Sequence, residues 1–227
     1  MRGLLTTLLS LCAWTSLVAS SSPVTVLKAG HGTVKGFEEA PYAQYREQNA
    51  VLTASGRIVV VAQGRNRSGW SDRSGQDLVS TWSDDHGETW SEDVLAVSHG
   101  AKSIVPNAAV FDTETASILV MYNLIPWDYR HPETRSEMAD AGCRQYLIES
   151  SDGGETWSKP RDISDMIDSK GAVAVMGSGE GIQLQKGPYK GRLILAGGDF
   201  HKGKKHHVFY SDNHGKTWQR SAEIVQP

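Results

Sequence analysis

One eight-residue pattern recurs three times along this chain, and it limits the fold more than any other feature. Ser83-Asp84-Asp85-His86-Gly87-Glu88-Thr89-Trp90, Ser150-Ser151-Asp152-Gly153-Gly154-Glu155-Thr156-Trp157 and Ser211-Asp212-Asn213-His214-Gly215-Lys216-Thr217-Trp218 share the form Ser-x-Asp/Asn-x-Gly-x-Thr-Trp. The copies begin 67 and 61 residues apart, too far for a solenoid unit of one or two strands and suited to a four-stranded sheet with its loops. Locally the pattern describes a hairpin with a self-bonding turn. The Asp or Asn bonds nearby backbone N–H groups, Gly supplies the positive φ of a tight turn, and Thr and Trp open the return strand with the indole packed on the hairpin. A calcium or transition-metal loop is the alternative reading, but one Asp per turn supplies too few ligands for calcium. Asn213 also replaces Asp in the third copy.

Upstream of each turn lies a second strand. Gly56-Arg57-Ile58-Val59-Val60-Val61-Ala62 and Gly191-Arg192-Leu193-Ile194-Leu195-Ala196 are near copies, and Ser117-Ile118-Leu119-Val120-Met121-Tyr122 holds the same place in the middle unit. Such runs are apolar at successive positions, as strands buried on both faces are. Sheets stacked face to face around an axis bury strands in that way, so the expected fold is all-β and a β-propeller. The 39% apolar share excludes a disordered chain. A net charge of −3 without long runs of one sign argues against nucleic acid as a partner.

Residues 1–20 are expected to be a signal peptide. Arg2 supplies a positive charge, Leu4 to Val18 is largely apolar, and Val18-Ala19-Ser20 offers small residues for cleavage. That segment is shorter than the roughly 20 residues a spanning helix needs, so no membrane span is expected after cleavage and the protein is read as secreted or otherwise exported. Cys12 would leave with the peptide, and Cys143 would then have no partner for an internal disulfide.

The three turns, the stretch Tyr45-Arg46 through Gly64-Arg65, and Gly177-Ser178-Gly179-Glu180-Gly181-Ile182-Gln183-Leu184 together resemble the sialidase (neuraminidase) family, whose turns of this kind are called Asp-boxes. The resemblance covers residues 21–227 and implies a six-bladed propeller, of which this chain supplies about three to four blades. Its most specific part is the order of Tyr-Arg, a strand, Gly-Arg, a polar loop holding an Asp, a strand, and then the first box. The implied activity is that of an exo-α-sialidase acting on sialylated glycans, without metal or organic cofactor.

The resemblance also implies roles for particular residues. Arg46 matches the first member of the family's arginine triad, although Glu47-Gln48 stand where Ile-Pro is usual. Sialic acid carries a carboxylate on its anomeric carbon, and a planar guanidinium can hold it bidentately at any working pH. Arg65 matches a second pocket arginine, and Asp72 the acid/base that protonates the leaving group, a task that calls for a raised pKa. Asp77, opening a strand, is the competing carboxylate and is read as structural. Asn107 matches a segment lining the pocket, and is equally a turn residue after Pro106. The second carboxylate of ordinary retaining glycosidases would be repelled by the substrate, and the family uses a tyrosine assisted by a Glu instead. It places these, with two more arginines, after the third box, where Gln219 to Pro227 hold no Tyr. The chain alone is therefore expected to be an inactive N-terminal portion.

Other features are open to two readings. Trp127, Tyr129 and Glu133 sit in a long loop that could roof the pocket. His201, His206 and His207 with Lys202, Lys204 and Lys205 are read as a solvated hairpin tip rather than a metal site. Asn66-Arg67-Ser68 is a glycosylation sequon. The functional alternative is a non-catalytic propeller that binds sialylated glycans or a protein partner.

Overall fold

The computed structural model describes residues 23–27, 42–65, 75–100, 102–125, 143–167, 179–199 and 205–224. Among them there are strands and no helix. The first sheet takes β1 (Gln44–Leu52), β2 (Ile58–Arg65), β3 (Gln76–Ser83) and β4 (Val94–Ser98) in chain order, all antiparallel. The second takes β5 (Ser103–Asp112), β6 (Ser117–Ile125), β7 (Arg144–Ser150) and β8 (Arg161–Asp162), and β9 (Gly179–Glu180) joins β5 in parallel. The third takes β10 (Ile182–Gln183), β11 (Leu193–Asp199), β12 (Lys205–Ser211) and β13 (Gln219–Arg220). β5 packs against β1 on one side and against β10 and β11 on the other. The first strands of the three sheets thus lie side by side, as in successive propeller blades.

The apolar runs are explained by burial on both faces. Along β6, Ile118, Val120 and Tyr122 enter one cluster with Val59, Val61, Leu78 and Ile104 of the neighbouring segments. Leu119 and Met121 face the other way and join Leu195, Phe209 and Trp218 of the third sheet. Each fully buried side chain of this kind stabilises the fold by about 1.5–3 kcal/mol relative to exposure. A strand alternating polar and apolar could not serve both interfaces.

Register puts all three turn motifs at one end of the sheets. Ile58 pairs with both Leu52 and Ser83, Ile118 with Ser150, and Leu193 with Ser211. Within each motif the Ser hydroxyl accepts the N–H of the Gly, at 2.8 Å for Gly87, 2.8 Å for Gly154 and 2.9 Å for Gly215. The Asp or Asn Oδ1 accepts the N–H of Thr89, Thr156 or Thr217 at 2.9 Å. The residue before each Gly is left-handed too, with φ of 63° at His86, 74° at Gly153 and 58° at His214. Trp90 and Trp157 each precede the next strand by several residues rather than opening it, whereas Trp218 directly abuts β13. The indoles of Trp90 and Trp218 donate to Gly87 O and Gly215 O within their own turns, and that of Trp157 donates to Ser80 Oγ of the first sheet.

The motifs also join one sheet to the next. A Cβ on Gly154 would lie 2.8 Å from Val59 Cγ1 of the first sheet, and one on Gly215 would strike Leu119 of the second. Arg57 grips Asp84 through two nitrogens, at 2.7 and 2.9 Å, and reaches Glu155 in the second motif at 2.8 Å. Arg161 donates to the carbonyls of Gly215 and Lys216 in the third.

Candidate functional site

The opposite end of the first sheet carries the two arginines singled out by the sequence. Gln44 pairs with Arg65 and Arg65 with Gln76, while Arg46 pairs with Gln63. Directly paired residues share a face, so Arg46 and Arg65 project from the same side of adjacent strands. Arg46 is exposed and Arg65 is fully buried. The box carboxylates Asp85 and Asp152 lie at the other end of the strands and do not converge with Arg46.

Local structure explains the motif around each arginine. Tyr45 alternates to the opposite face and donates its hydroxyl to Asp93 at 2.6 Å, which anchors β1 and leaves Arg46 pointing the other way. Immediately afterwards the pairing slips between Arg46 and Asn49, with Glu47 at φ 55°. This bulge occupies the positions where Glu47-Gln48 depart from the family pattern, and bulges re-aim neighbouring side chains. Gly64 lies under Tyr42, whose ring carbons would stand 2.7–2.8 Å from any Cβ there. Only glycine fits between Gln63 and Arg65.

Asp77 faces the Tyr42 side, accepting its hydroxyl at 3.0 Å. Burial pushes its carboxyl above the usual range, against the opposing pull of Ser98 and Tyr42. Because Asp77 pairs with Gly64 rather than Arg65, it lies on the face away from the arginines. Asp72, Asn66, Trp127, Tyr129, Glu133, His201, Lys202 and Lys204 lie outside the described residues, as do residues 1–22. Asn107 lies in β5 opposite Tyr122. His206 is exposed, whereas His207 is buried and its Nδ1 lies 3.2 Å from Ser221 O, so His207 belongs to the hairpin's packing rather than to a solvated tip.

Two features of this end were not singled out by sequence reasoning. Gln63, buried beside Arg65, accepts the Arg65 Nε–H at 3.0 Å and donates to Gln76 Oε1 at 3.0 Å and Ile104 O at 2.6 Å. Its only sequence signal is the two-residue spacing from Arg65, which puts both on one face. His99, after β4, bonds through Nε2 to the Tyr122 hydroxyl at 2.8 Å, and the rings of Tyr122 and Tyr146 stack 5.7 Å apart. Burial and the positive Lys102 lower the pKa of His99, and burial raises that of Tyr122.

The profile of the BNR repeat-like domain matches residues 96–225. The chain belongs to that family. Its first box, Ser83 to Trp90, lies just upstream of the matched span. The chain is 31% identical over 209 residues to a sialidase of Micromonospora viridifaciens, a match covering 85% of this chain and 30% of that protein. It is 26% identical over 193 residues to a sialidase of Paraclostridium sordellii, covering 80% and 43% respectively. It therefore spans less than half the length of these relatives. Among solved structures it resembles the Hadza microbial sialidase Hz136 with a TM-score of 0.67 and 21% identity, over 81% of this chain and 38% of that one. The all-β fold of this BNR repeat-like chain is that of part of a sialidase propeller.

Proposed function

We propose that the chain is the N-terminal part of an exported exo-α-sialidase, a glycoside hydrolase that removes terminal sialic acid from glycoproteins, glycolipids and oligosaccharides. The observation that carries this reading is the placement of Arg46 and Arg65 on one face of the first sheet, at the end away from the boxes. An exposed guanidinium at Arg46 offers the substrate carboxylate a planar fork of donors. Arg65, two residues beyond the position paired with Arg46, brings a second fixed positive charge to the same face. Asp72, between Arg65 and the start of β3, is assigned the proton transfer to the leaving oxygen. The identity to two sialidases supports the assignment, and the leader sequence of residues 1–20 supports export.

Binding of N-acetylneuraminic acid, followed by saturation-transfer NMR, tests the reading. Wild type should bind, and Arg46→Lys should bind about tenfold more weakly through loss of the bidentate fork. In the full gene product, Asp72→Ala should depress turnover of a natural glycan far more than that of an aryl sialoside with a good leaving group. Absence of both binding and turnover would remove the sialidase assignment, whereas binding without turnover by the full product would favour a glycan-binding propeller.

A further inference from the structure

We infer that Gln63 is a positioning residue for Arg65, and that it couples the arginine's orientation to the packing of the second sheet on the first. The deduction rests on the sialidase reading for its functional consequence but not for its geometry. Gln63 and Arg65 alternate with Gly64 on β2, so their side chains share one face and both are buried. Arg65 Nε–H can only donate, and Gln63 Oε1 accepts it at 3.0 Å. Ile104 O can only accept, and it takes a hydrogen from Gln63 Nε2 at 2.6 Å. These two partners together permit one orientation of the amide. Gln76 Oε1, a further acceptor at 3.0 Å, reinforces it.

Ile104 belongs to β5, the first strand of the second sheet. One side chain therefore spans the boundary between the sheets and ends on the guanidinium. In a buried setting a polar network of this kind holds its members in one arrangement, and loss of a link leaves the remaining groups unsatisfied. Arg65 is then held by an amide whose own direction is imposed from the neighbouring sheet.

The charge type at position 63 follows from the same geometry. Glutamate has the same shape and would still accept from Arg65 Nε. Its second oxygen would face Ile104 O, an obligate acceptor, and could not bond it once the carboxyl is ionised. An ionised Gln63→Glu carboxylate would keep and strengthen its bond to the Arg65 guanidinium while losing the bond to Ile104 O, so this variant separates the hold on Arg65 from the link to the second sheet.

The test follows the Nε–H resonance of Arg65 in 15N-arginine-labelled protein, assigned by its absence in Arg65→Lys, alongside binding of N-acetylneuraminic acid. In wild type the Arg65 proton should be protected from exchange. In Gln63→Leu protection should be lost and binding should weaken about tenfold. In Gln63→Glu, which keeps an acceptor against Arg65 Nε, protection of the Arg65 proton should persist. Should Gln63→Leu fail to fold, Gln63→Met, which keeps the length of the side chain without the acceptor, carries the test. Protection of the Arg65 proton unchanged in Gln63→Leu or Gln63→Met would overturn the inference. If wild type binds no N-acetylneuraminic acid, the sialidase reading fails, and the Arg65 resonance alone still decides whether Gln63 positions it.

Discussion

Asn213 donates from Nδ2 to the Thr217 hydroxyl at 2.8 Å, whereas Asp152 accepts the hydroxyl proton of Thr156 at the same place. A threonine hydroxyl can donate or accept, so the turn closes with either side chain and only the direction of one bond reverses. The other oxygen, Oδ1, has the same task in both, accepting the Thr N–H at 2.9 Å. The third copy of the motif is thus a complete turn.

Asp152→Asn should accordingly cost less than about 0.5 kcal/mol, while Asp152→Ala, which removes the acceptor of the Thr156 N–H, should cost about 1 kcal/mol, the usual loss for one local capping bond. Urea denaturation of the two variants measures the difference. Equal destabilisation by both would mean that the carboxylate charge, not the hydrogen-bond pattern, holds the turn.

The left-handed residues before the motif glycines should respond in opposite directions to glycine. His86 has φ 63° and is exposed, so His86→Gly relieves a strained backbone and should stabilise the protein by about 0.5 kcal/mol after the extra freedom of the unfolded chain is offset. His214, at φ 58°, bonds through Nδ1 to Oδ2 of the buried Asp112 at 2.8 Å. His214→Gly should destabilise by about 1–2 kcal/mol, because a buried carboxylate loses a partner. Thermal melts that moved in the same direction for both would contradict this account.

Burial pushes the Cys143 thiol up to about 11, and the side chain is inaccessible. Since the thiolate is the nucleophile, iodoacetamide at pH 8 should leave Cys143 unmodified in the native protein and label it rapidly in urea. Mass spectrometry of the Cys143 peptide reads the outcome, and fast native labelling would show that this part of the second sheet opens readily.

Stability should fall in two stages as pH drops. His99 is held neutral by burial and by the nearby Lys102. Its folded pKa lies below the unfolded value of roughly 6.5, so the unfolded chain gains the proton first and stability declines as pH falls below about 6.5. Asp85 is pulled down to about 2 by hydrogen bonds from the Thr89 hydroxyl and backbone and from Ser83. Its contribution is present above roughly pH 4 and is lost as pH falls toward 2. Denaturation midpoints of His99→Gln between pH 7 and 5 should be flatter than those of wild type, with the lower stage retained. An unchanged upper stage would point to another group.

Much of the architecture was legible in the chain. The three turn motifs close within eight residues each, so residue type and spacing were enough to place them, and the uninterrupted apolar runs at Ile58, Ile118 and Leu193 pointed to strands buried on both sides. The close seat of Gly154 on Val59 was not legible, although both residues were in view, because it joins segments 95 residues apart in sequence. The same holds for Gln63, whose partners include Ile104 on another sheet, and for the bond between His99 and Tyr122.

The sequence by itself determined the sheet-and-turn unit, since a hairpin that satisfies its own backbone groups and a strand with no polar face need only local chemistry. Tertiary structure alone decided that the boxes and the arginines lie at opposite ends, that Asp77 faces Tyr42 rather than Arg65, and that Arg65 is buried while Arg46 is exposed. Those outcomes depend on strand register, on the bulge between Arg46 and Asn49, and on how one sheet stacks on the next. A shift of one residue in any of these turns a side chain to the other face, and no local pattern records which register the packing selects.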